Sequence, residues 1–396
     1  MHKTPNRPLI SPLESRRLLA MSAYAQLVNQ DDAATNFPTI NGSGIGVAII
    51  DTGVDYTRSE LGGGFGTGHK VVGGYDFLDN DADPMDTSGH GTATAGVVAA
   101  SSYTVNGVTY QGVAPNAHLL ALRAGDDNGF SDSNIQKALQ WVIDNRTKYN
   151  IKVVNMSIGS GNYVDATTQS TYSTLFQTLR DDGVFVVAAS GNSQESTNVP
   201  ISQDGIAYPS ADPNVFAVGA VNSSDVLTTW GQRGFELDLL APGDNLTLLK
   251  PSSGTVVESG TSFASPYVAG AAAPMFQKSS TVTPGDVGSI LMSSGKSNRD
   301  GDTETGDTTS LLFARLDIDA ALKLETLRAD NDDAPNLGGS FDTALDCAGR
   351  AARRIRRQRQ AALRNAQRRR HVVEVDHRRQ QRRRGLLRVN RRRPQR

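Results

Sequence analysis

Apolar, β-branched runs recur along the chain, separated by polar and glycine-containing stretches. They are "GVAII" ahead of Asp51, "KVVGGYDF" at 70–77, "HLLALRA" at 118–124, "IKVVNMS" at 151–157, "GVFVVAAS" at 183–190 and "NVFAVGAV" at 214–221. Each is nearly continuous rather than alternating, the pattern of a strand buried on both faces. Between the runs the period changes. Ile135, Leu139 and Val142 repeat at helical spacing behind "SDS", a ready set of N-caps, and Tyr172, Leu175, Phe176 and Leu179 form a second such stripe. Strands alternating with helices predict an α/β fold: a mostly parallel central sheet with helices on both faces. In such sheets functional groups collect beyond the carboxyl ends of the strands. Asp51, the 155–159 stretch and Asn192 stand at such ends.

Composition narrows this picture. A chain of 396 residues can bury a full core as one large domain or two ordinary ones. Its single cysteine, Cys347, leaves packing or metal ions to supply any extracellular stability. The net charge of −1 hides a division: residues 348–396 hold 20 arginines against Glu374 and Asp376, whereas residues 1–347 hold 20 basic and 39 acidic residues. So acidic a body favours solubility and cation binding and argues against gripping nucleic acid. No apolar run approaches the ~18 residues that span a bilayer. Near the N-terminus, Leu18–Met21 is shorter than the roughly 7–15 apolar residues of a signal peptide. "RADNDDAPNLGGSFD" at 328–342 reads as a linker, and the arginine tract beyond Cys347 has too few apolar residues to predict a fold.

A nucleophilic serine needs a base and a group that orients the base. "VESGTSFASPYVAG" offers Ser259, Ser262 and Ser265. Ser262 follows Gly260-Thr261 and opens a run of small residues, with Pro266 expected in the first helical turn. Its hydroxyl and N–H would lie at the positive end of a helix, suited to an oxyanion. Ser259 precedes the glycine turn, and Ser265 lies one turn on, facing packing or the backbone. Of six histidines, His2, His371 and His377 lie in unpatterned termini. His69 belongs to a glycine-rich loop, and His118 reads as a hydrogen-bonded core residue inside a strand. His90, in "DTSGHGTATAGVVAA", stands at the open end of a small-residue helix and is the strongest base candidate. Asp51 closes a strand ahead of a chain reversal, where it would cap a turn or fix an imidazole tautomer.

"VAIIDTGVD", "GHGTATAGVVAA" and "GTSFASPYVAG" resemble the three catalytic signatures of the subtilisin-like serine proteases, in that family's order of Asp, His, Ser. "GVAPNAHLLALRA", "NMSIGS", "VVAASGNSQ", "YPSADPNVFAVGAV" and "LDLLAPGDNL" resemble its framework, so the match runs from about residue 40 to about residue 321. The resemblance implies the family's three-layer fold and an endopeptidase acting on proteins or peptides. Ser262 would be the nucleophile, His90 the base, Asp51 its orienter and Asn192 the oxyanion-hole amide. Ser157, Ile158, Gly159, Ala189 and Gly191 would border the primary specificity pocket. Neither pocket segment carries an acid, which implies broad or apolar preference. The resemblance requires no cofactor for chemistry. Asp76, Asp79, Asp81 and Asp83 in "DFLDNDADPMD" look like a calcium loop of some members, and Glu60 stands where many carry a calcium-binding aspartate.

The departures are Ala93 and Tyr267, where histidines are usual, and the N-terminus, where 50 residues precede Asp51 and leave no room for the family's propeptide. "LESRRLL" at 13–19 resembles an element near the start of certain bacterial surface proteins, which with the family implies a secreted or surface location. The expected organisation is an N-terminal segment (1–22), a peptidase domain (23–327), an acidic linker (328–347) and an arginine-rich tail (348–396), in a monomer without a membrane span. The tail reads as an acidic-surface or nucleic-acid arm, a segment folded on the acidic body, or out-of-frame translation. Rival functions are a degenerate protease-fold binding module, a nucleic-acid binder resting on the tail, and an α/β-hydrolase esterase. Chain order counts against the esterase, whose histidine follows its serine.

Overall fold

The computed structural model describes residues 20–163, 172–192, 205–301 and 311–332. The 13–19 element, most of the 328–342 stretch and the arginine tract lie outside them. The six apolar runs form β1 (Gly46–Asp51), β2 (Val71–Asp76), β3 (His118–Arg123), β4 (Ile151–Met156), β5 (Phe185–Ala189) and β6 (Phe216–Val221). They continue through β7 (Leu239–Pro242), a hairpin of β8 (Leu246–Leu249) and β9 (Thr255–Glu258), then β10 (Lys296–Arg299) and β11 (Leu312–Arg315). Nine strands make one sheet in the order β10-β11-β7-β6-β5-β4-β1-β3-β2. Every pairing is parallel except that of the edge strand β10.

The continuous apolar runs follow from burial on both faces. Val47 and Ile49 of β1 pack into one cluster, and Ala48 and Ile50 into another. The first cluster is completed by α1 (His90–Ala99), α4 (Thr261–Lys278), α5 (Pro284–Ser294) and α6 (Ile318–Asp332). The second is completed by α2 (Asp132–Asn145) and α3 (Ser173–Asp181), which carry the two predicted stripes. Ser131 of "SDS" is the α2 N-cap, its Oγ accepting the Asn134 N–H at 3.2 Å. The result is the expected three-layer α/β architecture.

Two local expectations are corrected. His118 is the first residue of β3 and its side chain is exposed, because it stands at the amino end of a strand whose other residues are buried. Helix α4 starts at Thr261, so Pro266 falls in its second turn rather than its first. Among the described residues no helix is long and apolar enough to cross a membrane.

Candidate active site

Parallel strands β1, β4 and β5 are neighbours, so their carboxyl ends bring Asp51, the 155–159 stretch and the approach to Asn192 to one edge. Asp51 is fully buried. Its Oδ1 accepts the Nδ1–H of His90 at 2.7 Å and the N–H of Thr52 at 2.8 Å. The Thr94 hydroxyl, which donates to the Gly91 carbonyl at 2.9 Å, lies 3.4 Å from Oδ2. A carboxylate only accepts, so His90 carries its proton on Nδ1, and the neutral ring keeps a lone pair on Nε2. Burial works against the imidazolium. The charge and hydrogen bond of Asp51 outweigh it, with Glu258 and Asp86 adding, and the His90 pKa is raised above the ordinary histidine value.

His90 opens α1, and the approach of that helix to β1 is close. A Cβ on Gly91 would lie 2.0 Å from the Gly53 carbonyl oxygen, so only glycine fits. Asp86 ties the two elements together. Its Oδ1 accepts from Thr52 Oγ1, Ser88 N and Gly89 N, and its Oδ2 from Thr92 N and Oγ1. The Thr52 hydroxyl in turn accepts the Gly91 N–H at 2.9 Å. Burial raises the Asp86 pKa against these bonds, which favour its charged form at the positive end of α1.

Helix α4 brings the serine cluster to the same edge, and the His90 and Phe263 rings lie 5.3 Å apart between centroids. The three serines separate by environment. Ser259 is exposed and bonded to Asp244 and Asn245. Ser265 is fully buried and bonded to Asn155. Ser262, second in the helix, is partly exposed beside His90's neighbour Phe263. Asn192 lies just past β5 with its side chain exposed. Thr261 donates to Asn192 Oδ1 from both its N–H (2.9 Å) and its hydroxyl (2.8 Å), which fixes the amide by its oxygen. The Thr261 hydroxyl accepts the Gly191 N–H at 3.0 Å, closing that turn.

Residues 157–159 and 189–191 continue adjacent strands paired in the register Met156↔Ala188. Ile158 and Ala189 are buried, while Gly159 and Gly191 present backbone. The Ser157 hydroxyl points inward and donates to the Ser262 carbonyl. In the expected calcium loop each acid has a partner within the protein. Arg123 donates to both Asp76 and Asp79 at 2.5 Å, Asp81 accepts the Asp83 N–H, and Asp83 accepts the Tyr56 hydroxyl. The four carboxylates thus serve a guanidinium and local turns, and no group of three or more acids, histidines or cysteines converges among the described residues. Glu60 likewise pairs with Arg58, at 2.7 Å, rather than standing open to a cation.

Asp86, Thr52, Thr92, Thr94 and Thr261 complete the site and were not singled out from sequence, whereas Asn155 lies in the 155–159 stretch and Ser265 faces packing as expected. Only Asp86 carries a local signal, an acid three residues before the glycine that caps α1.

Residues 42–311 match the model of the subtilase family. A thermophilic serine proteinase of Bacillus sp. (strain AK1) is 39% identical over 59% of this chain and 53% of its own length. Subtilisin E of Bacillus subtilis (strain 168) is 34% identical over 67% and 65%, and subtilisin DY of Bacillus licheniformis is 36% identical over 71% and 91%. The chain thus spans between half and two thirds of the first two. The crystal structure of a cold-adapted subtilisin-like serine proteinase superposes with a TM-score of 0.56 at 31% identity, over 70% of this chain and 90% of that one.

Proposed function

The chain belongs to the subtilase family, and from that premise we propose that it is a serine endopeptidase working through Asp51, His90 and Ser262. The observation that carries the reading is the 2.7 Å bond from His90 Nδ1 to a fully buried Asp51, beside the start of the helix that bears Ser262. Nε2 of neutral His90 takes the Ser262 proton as Oγ attacks the scissile carbonyl. Asp51 stabilises the imidazolium that forms. The developing oxyanion is met by the Ser262 N–H and the Asn192 amide, both held before reaction begins. His90 then protonates the leaving amine. Water, activated by the same Nε2, hydrolyses the acyl-enzyme and returns the serine.

All proton transfers in this cycle run through protein groups. The segments 155–160 and 188–191 carry no acid, so the substrate residue preceding the cut is read as apolar or unrestricted. A peptide-library digest is expected to show no enrichment of Lys or Arg there, and cutting mainly after basic residues would refute that preference. The central test is casein hydrolysis by the purified chain and by Ser262→Ala. The variant is expected to be inactive while keeping its melting midpoint, and equal activity in the two would end the protease reading.

A further inference from the structure

The residue that fixes the nucleophile is not on its own helix. In an α-helix the Ser262 carbonyl accepts from the N–H four residues on, and that residue is Pro266, which has none. The proline ring also crowds that carbonyl. The vacancy is filled from the sheet: the Ser157 hydroxyl donates to Ser262 O at 2.6 Å. Ser157 is itself held, since its Oγ accepts from Asn155 Nδ2 at 2.8 Å, and Ser265 Oγ donates to Asn155 Oδ1 at 3.0 Å. Asn155, Ser157 and Ser265 are 0%, 2% and 0% exposed.

The proton inventory of this cluster has one solution. An amide nitrogen only donates, and a carbonyl only accepts. Asn155 therefore requires Ser157 to accept and Ser265 to donate. Ser262 O requires Ser157 to donate its one proton. Both hydroxyl protons are assigned, and the 3.1 Å approach of the two serine oxygens is a contact between groups already committed. No rotor is left free in a buried site, so the Ser157 hydroxyl has one direction.

We propose that Ser157 is a positioning residue of the reaction proposed above, and the inference rests on that reading. Its hydroxyl replaces the helical bond that Pro266 removes. It thereby sets the Ser262 peptide and the direction of Oγ and N–H from the same Cα. Residues 155 and 157 come from the β4 end and 262–266 from α4, so the cluster also fixes the nucleophile against the strand that borders the specificity pocket.

The test is a double-mutant cycle on purified full chain, read as kcat, KM and the rate of covalent labelling by a fluorophosphonate. Ser157→Ala is expected to lower kcat and labelling on the order of 10²-fold with KM nearly unchanged, as a misplaced nucleophile does. Pro266→Ala restores an N–H to the helix. In that background the added Ser157→Ala is expected to cost less than about threefold, because Ser262 O again has a helical donor. The same large loss in both backgrounds would overturn the proposal, as would a loss confined to KM. If Ser157→Ala alone does not fold, Pro266→Ala with and without it still decides. Ser262→Ala is the control: full activity there refutes the protease reading itself, whatever the cycle gives.

Discussion

At the scale of single residues, the site is a question of which proton sits where. Activity needs neutral His90, and Asp51 raises its pKa despite burial. The acid limb of kcat/KM is therefore expected above pH 6.5, the unperturbed value, with activity lost as pH falls through the raised pKa. Glu258 is an exposed carboxylate whose charge adds to the effect. Glu258→Gln should move the limb to lower pH, by an amount that shrinks as salt is raised. A limb that stays in place at low ionic strength would exclude this contribution. Asp51, His90, Ser262 and Asn192 were legible because each stands in a short stretch whose local pattern and family likeness agree. Their supports were not. Thr261 gains meaning only when Asn192 is folded against it, and Ser157 only when Pro266 of a remote helix leaves a carbonyl unpaired.

At the scale of elements, β-branched runs with no polar face could only be strands of a covered sheet, and all six are. Strands β10 and β11 gave no comparable signal: "KSNR" is polar and largely exposed, held at the edge by pairing alone. Helix α4 opens at Thr261, directly after Gly260, and so takes Pro266 into its second turn. The histidine-poor variation from the family resolves as packing, since Ala93 and Tyr267 line one small cavity between α1, α4 and the β8 strand. Position of α1 is the sharpest demand on this level. Its first turn touches the β1 exit through Gly91, where any Cβ meets backbone. Gly91→Ala is expected to push His90 from Asp51 and to destabilise by about 1–3 kcal/mol, the usual cost of overpacking. Wild-type activity with an unchanged melting midpoint would show that the contact relaxes freely.

For the whole molecule, the stability of the face that carries α4 is coupled to pH at a point far from the chemistry. Glu325 on α6 is 2% exposed, and its nearest charge is Lys278, the last residue of α4, at 3.6 Å. Neither carboxyl oxygen has a hydrogen-bond partner. Burial pushes its pKa up to about 7 from 4.5, against the pull of Lys278. The sign follows from proton counting. Between pH 4.5 and 7 the folded chain holds a proton that the unfolded chain has released, so stability falls as pH rises through this window. The full effect is on the order of 3 kcal/mol once Glu325 ionises. No pattern in "LKLETLRADNDD" announces it, because the glutamate reads as one more charge on an acidic helix end until the packing of α6 on α4 buries it. Glu325→Gln removes the titration and keeps the shape. Its melting midpoint relative to the parent chain should be higher at pH 8 than at pH 5, and all other titrating groups cancel in that difference. An offset that is the same at both pH values would mean that the buried carboxylate stays ionised throughout, held by Lys278.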